Sequence, residues 1–92
     1  MKLDWNKEYG KKDKVTPVSY SMRTPLNMSI HHHIYYDKDE WLFTCRDFDI
    51  MARQLDTKDI DEAEEKALDI IKNYVDDINR KYNELVNGGA AT

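Results

Sequence analysis

The amino-acid sequence predicts an α+β fold: a three-stranded antiparallel sheet, with room for an extra N-terminal edge strand, packed on one long C-terminal α-helix. Three features carry this expectation. Residues 28–36 and 41–46 alternate apolar and polar side chains as half-buried strands do, and DKDE at 37–40 supplies a polar turn between them. From Ile60 onward the apolar residues recur at helical spacing, with charges between them.

Taken in order, residues 1–14 read as an irregular, Lys-rich arm in which Trp5 and Tyr9 are the only large apolar groups. VTPVSYSM (15–22) has strand composition, but Pro17 limits it to an edge strand or an extended arm, and Pro25 breaks the chain again. In NMSIHHHIYY, Ile30, His32, Ile34 and Tyr36 share one strand face, while His31, His33 and Tyr35 share the other. WLFTCR places Trp41, Phe43 and Cys45 on the core face, with Leu42, Thr44 and Arg46 opposite. A third strand is expected over roughly Ile50–Leu55. The helix then opens with Asp59 as N-cap and Glu62 three residues later, a capping-box-like pair. Asp61, Glu62, Glu64 and Glu65 complement its dipole, and Asn87-Gly88 is expected to close it in a left-handed cap. The domain division is thus 1–26 as basic arm, 27–88 as β-β-β-α domain and 89–92 as a soft tail.

A helix of that length outruns strands of about 20 Å. Its distal stripe, Tyr74, Ile78, Tyr82 and Leu85, needs cover. A homodimer through these four residues is expected; the intramolecular alternative folds Trp5, Tyr9 and Val15 of the arm over them.

Charge narrows the functional classes. Residues 1–23 carry six Lys/Arg against three Asp/Glu, whereas residues 37–92 carry eight against fifteen. An acidic body argues against nucleic acid as a direct ligand and is compatible with a basic protein partner. A single cysteine leaves no internal disulfide and points to a reducing compartment. The N-terminal residues lack a signal-peptide h-region, and no segment has the ~20 apolar residues of a membrane span. The expected setting is the cytoplasm of a bacterial cell, with no membrane partner.

Candidate catalytic groups are sparse. His31 and His33 stand about 7 Å apart on one strand face and could share a metal if Asp37 or a neighbouring strand gave a third ligand. With Arg46 or Arg53 nearby the same pair could serve a nuclease. Cys45 shares the register of Trp41 and Phe43 and is expected to be buried and inert. No phosphate loop, nucleophile elbow or dinucleotide fingerprint is present. The expectation is therefore a protein that is not an enzyme and needs no cofactor, with a His-dependent nuclease or metal hydrolase and a purely structural homo-oligomer as alternatives.

One stretch is more specific. Trp41 and Phe43 precede Asp47-Phe48, then Gln54-Leu55-Asp56-Thr57, then Ile60-Asp61-Glu62-Ala63, with Ala67, Ile71 and Tyr74-Val75 continuing the helix. This resembles the HicB-like antitoxin family, which has a partial ribonuclease-H-like β-β-β-α scaffold. In that family a strand ends at Asp-Leu-Pro-Gly, and a short strand leads to Gln-Gly-Asp-Thr and an acidic helix entrance. Here Asp49-Ile50 replaces Pro-Gly, Lys58-Asp59 lengthens the corner, and the family's DNA-binding segment is absent. The resemblance implies inhibition of a toxin nuclease by surface occlusion. Without the DNA-binding segment the chain also looks like small phage-encoded inhibitors of host defence nucleases, such as anti-CRISPR proteins. In both cases the expected partner is a basic nuclease, and the contact residues are Asp37, Asp39 and Glu40 at the hairpin tip with Asp61, Glu64, Glu65, Asp69, Asp76 and Asp77 on the helix. Within the corner, Asp56 and Thr57 are expected to bond helix-entrance amides and Gln54 to bridge the strand end.

Overall fold

A computed structural model describes residues 2–10, 15, 17–32 and 40–91, the last three by backbone alone. Its sheet has five strands, not three: β1 (Asn6–Tyr9), β2 (Pro17–Met22), β3 (Met28–His31), β4 (Leu42–Cys45) and β5 (Ile50–Gln54). They lie in chain order, each antiparallel to the next, so the sheet is a simple meander. A single helix, α1 (Ile60–Ala91), follows. The α+β class stands; the strand count does not.

The error lies at the N-terminus. β1 is the polar stretch NKEY, exposed at every position, and no apolar alternation announces it. It forms because β2 offers a free edge, with Asn6 opposite Ser21 and Lys7 opposite Tyr20. β2 is consequently an inner strand. Pro17 is accommodated because it is the first residue of the strand, where the register with Tyr9 is already irregular and no ladder donor is needed. Within the segment read as a loose arm, Asn6–Tyr9 are part of the sheet.

The β3–β4 hairpin has the expected pairing, with Ile30 opposite Phe43 and His31 opposite Leu42. The described ladder ends at His31 opposite Leu42, and residues 37–39 of the expected DKDE turn lie outside the described residues. The expected strand positions of His33, Ile34, Tyr35 and Tyr36 lie outside the described residues. A 3₁₀ turn (Arg46–Phe48) joins β4 to β5, ending at Asp49 with φ 56°. Ala52 (φ 47°) and Asp56 (φ 55°) are also left-handed. Ala52 sits where the β4–β5 register shifts, its amide donating to Thr44 Oγ1 at 2.9 Å.

Core side chains come from every layer: Trp5, Tyr20, Ile30, Trp41, Phe43, Cys45 and Leu55 from the sheet side, Ala63 and Ala67 from α1. Alanine at those two helix positions lets the helix approach the sheet closely. Phe43 is 0% exposed, and its burial is worth about 1.5–3 kcal/mol. The Trp41 ring meets Tyr20 edge-on at 5.7 Å and lies against His32 at 3.8 Å. Ala67 and Ile71 pack on this core as expected, whereas Tyr74 stacks on Phe48 at 4.5 Å.

At the helix entrance, Asp59 Oδ2 accepts from the Glu62 amide at 3.3 Å, as an N-cap does. The reciprocal half of a capping box is replaced by an ion pair of Glu62 with Lys66 at 3.4 Å. At the far end α1 runs through Asn87 and Gly88 to Ala91 without a left-handed cap. Gly88 has open space around its Cα. Nothing packs there to force the chain out of the helix, so the helical hydrogen bonds continue. The molecule measures 62 × 24 × 19 Å, and from Ile78 to Gly88 every residue is exposed. The overhang of the helix beyond its sheet is as expected.

Candidate functional site: the acidic helix face

At 100° per residue, Asp61, Glu65, Asp69 and Asp76 fall within about 80° of one another around α1, on the side turned away from Ala63, Ala67 and Ile70. Steps of four residues separate the first three carboxylates by about 6 Å along the axis. All four residues are exposed. Asp61 also faces the buried Tyr20, whose hydroxyl pKa is raised by burial first and then by Tyr9 and Asp61.

The distal acids are already engaged. Lys72 Nζ lies 3.0 Å from Asp76 Oδ2, and the Asp76 carboxylate holds the lysine pKa above its ordinary value. Asp77 pairs with Lys81 at 3.0 Å and with Arg80, and the Lys81 hydrogen bond chiefly draws its pKa below the usual value. The proximal part of the acidic face is Asp61, Glu65 and Asp69. Glu40 is half-buried, and Asp37 and Asp39 lie outside the described residues.

Glu64 is a correction. Expected on the contact surface, it is 1% exposed. Its Oε1 accepts from the Lys2 amide at 2.5 Å, and its Oε2 from the Leu3 amide at 3.1 Å and the Trp5 indole Nε1 at 2.6 Å. Burial alone would raise the carboxyl pKa. The Lys2, Trp5 and Leu3 donors outweigh it and bring the pKa below the ordinary 4.5. Here a buried charge is satisfied chiefly by three hydrogen bonds from N–H donors. Glu64 is a latch that fastens the N-terminal segment to the helix. One signal in the sequence marks it: Glu64 precedes Ala67 and Ile71 by three and seven residues, which puts it on the core-facing side of the helix. Lys2, Leu3 and Trp5, its partners, carry no comparable local signal.

The arm also settles its own alternative role. Trp5 is buried beside the first turns of the helix, while Tyr9 and Val15 are 46% and 86% exposed, so they do not cover the distal stripe.

The corner residues act mainly through the backbone. Thr57 is buried; its carbonyl accepts from the Trp41 amide at 3.1 Å, and its hydroxyl from the Asp59 amide at 3.2 Å. Asp56 supplies a left-handed turn and a carbonyl 3.4 Å from Lys66 Nζ, while Gln54 ends β5 opposite Leu42. The Trp41 indole donates to the Lys58 carbonyl at 3.1 Å. Hydrogen bonds from both the sheet side and the helix side hold this junction together.

His31 Nε2 lies 3.0 Å from Thr44 Oγ1 across the sheet, and His32 packs on Trp41. His33 and Asp37 are outside the described residues. Among those that are described, no group of three or more His, Cys, Asp or Glu could hold a metal ion. Cys45 is 0% exposed, as its register required. No described helix is long and apolar enough to cross a membrane. No protein-family model matches this chain, and comparison with curated proteins and with solved structures gives no match either.

Proposed function

We propose that this is a non-catalytic binding protein of the bacterial cytoplasm that occupies the basic surface of a nucleic-acid-processing enzyme. The observation that carries the reading is the outward face of α1, where Asp61, Glu65 and Asp69 repeat at helical spacing on a rigid element. Carboxylates about 6 Å apart in a row offer a cationic groove a substitute for a phosphate backbone. The partner is then a basic nuclease, either a toxin of the kind the HicB-like resemblance implies or a host defence effector opposed by a phage protein.

Charge-guided docking makes a kinetic demand. Association of the protein with a nuclease recovered from its host should slow steeply between about 0.1 and 1 M salt, as the Debye length falls from about 10 Å to 3 Å. The variant Glu65→Lys/Asp69→Lys should associate at least tenfold more slowly at low salt while keeping its helix content. Glu64 is left out of this variant because reversing it would undo the latch. Rates that ignore both salt and the substitutions would rule the reading out.

A further inference from the structure

The distal half of α1 carries an apolar seam most of which lies beyond the sheet. Tyr74, Val75, Ile78, Tyr82, Leu85 and Val86 remain 37–76% exposed. At the 150–250 Å² an aromatic side chain presents, this is on the order of 600 Å² of surface, the upper end for a soluble monomer. Ile71, Val75, Ile78, Tyr82 and Leu85 alternate steps of four and three residues, the a/d repeat of a two-stranded coiled coil. We propose that this seam pairs with a second copy of the chain, and that the two helices run antiparallel.

Three observations select a second copy. Two such stripes together bury roughly 1,200 Å², the lower bound of a specific interface. The seam is self-complementary: with a two-fold axis near Arg80, Val75 faces the second copy's Leu85 and Ile78 faces its Tyr82, a smaller side chain against a larger one in each layer. The overlapping segment 69–91 is also close to balanced, with Lys72, Arg80 and Lys81 against Asp69, Asp76, Asp77 and Glu84, so self-pairing meets little net repulsion.

Direction follows from Glu64. It stands one heptad before Ile71, at the same seam position, and is sealed by Lys2, Leu3 and Trp5. A parallel pair would place both N-terminal segments between helices that must lie 8–10 Å apart. An antiparallel pair about Arg80 brings Ala91 level with Asp69, overlaps residues 69–91 over about 33 Å, and leaves Glu64 with its Lys2, Leu3 and Trp5 donors beyond the end of the other helix. The acidic faces then sit at opposite ends of the rod, with the two Glu65 residues about 45 Å apart along the axis. That exceeds the Debye length at physiological salt several-fold.

Sedimentation equilibrium of the full chain should give twice its 10.9 kDa mass, and Ile78→Asp/Leu85→Asp should return it to 10.9 kDa with helix content kept. Direction is read by oxidation of two single variants, Val75→Cys and Leu85→Cys. In the antiparallel pair each position lies about 15 Å along the axis from its own copy, out of disulfide reach. Each variant alone should stay uncrosslinked, and an equimolar mixture should yield a covalent dimer. Self-crosslinking of either variant alone would overturn the direction, and a 10.9 kDa full chain at 100 μM, taken as about the working ceiling for a specific dimer, would overturn the pairing.

Discussion

Replacing Glu64 with Gln isolates the latch. The carboxylate accepts three hydrogen bonds, from the amides of Lys2 and Leu3 and the indole of Trp5. Hydrogen bonds to a charged group contribute about 1.5–3 kcal/mol each, and a buried donor left without an acceptor costs about 1–3 kcal/mol. Gln keeps one oxygen but turns an NH₂ group toward donors at the other position. Glu64→Gln should therefore lower stability by about 2–4 kcal/mol at pH 7, a large share of what a small domain has. The pH dependence has a definite sign. A carboxyl whose folded-state pKa is below its unfolded value of 4.5 contributes fully above that value. The contribution drains away as pH falls through the folded-state pKa. The gap between wild type and Glu64→Gln should be widest at pH 6–7 and shrink below about pH 4. Urea denaturation followed by tryptophan fluorescence suits the measurement, because Trp5 and Trp41 are both buried. Hydrogen exchange would add that β1 amides lose protection first. A gap below about 0.5 kcal/mol, or one unchanged between pH 3.5 and 7, would refute the latch.

Phe43→Ala removes the most enclosed large side chain and should cost about 3–5 kcal/mol in the same denaturation assay. Asp59→Ala deletes the N-cap bond to Glu62 and should cost about 1 kcal/mol. Gly88→Ala should increase helix content by circular dichroism and slow exchange in the last turns. The site is helical with open space around it, where Ala is favoured over Gly by about 0.8–1 kcal/mol. A loss of helix on that substitution would instead indicate a left-handed glycine cap.

The β3–β4 pairing, β5, the helix start and its overhang were all legible, because each rests on a local pattern: period-two alternation, an Asp N-cap, period-3.6 apolar spacing. β1 was not, because NKEY has no core face and becomes a strand only through β2. The turns at Asp49 and Ala52 were hidden for a related reason: neither is glycine, so composition gave no sign of a positive φ. Gly88 misled in the opposite direction, since a glycine signal near a helix end acts only if the chain beyond has somewhere to go. Among the acids, 61, 62, 64 and 65 look alike in composition; helical phase alone separates the buried Glu64 from the exposed Glu65.

Glu64 follows Lys2 by 62 positions along the chain. During synthesis at about 5–20 residues per second, the N-terminal segment is made several seconds before its fastening point exists. β1 leaves the ribosome before β2–β5 yet is among the last of these strands to be secured, and until then β2 presents a bare edge to whatever is nearby. The chain is suited to that interval. Pro17 opens β2 without an amide to donate, and NKEY attracts no hydrophobic partner while it waits. Locking of the N-terminus, and with it closure of the sheet, becomes a report that the ribosome has passed the first turns of the helix.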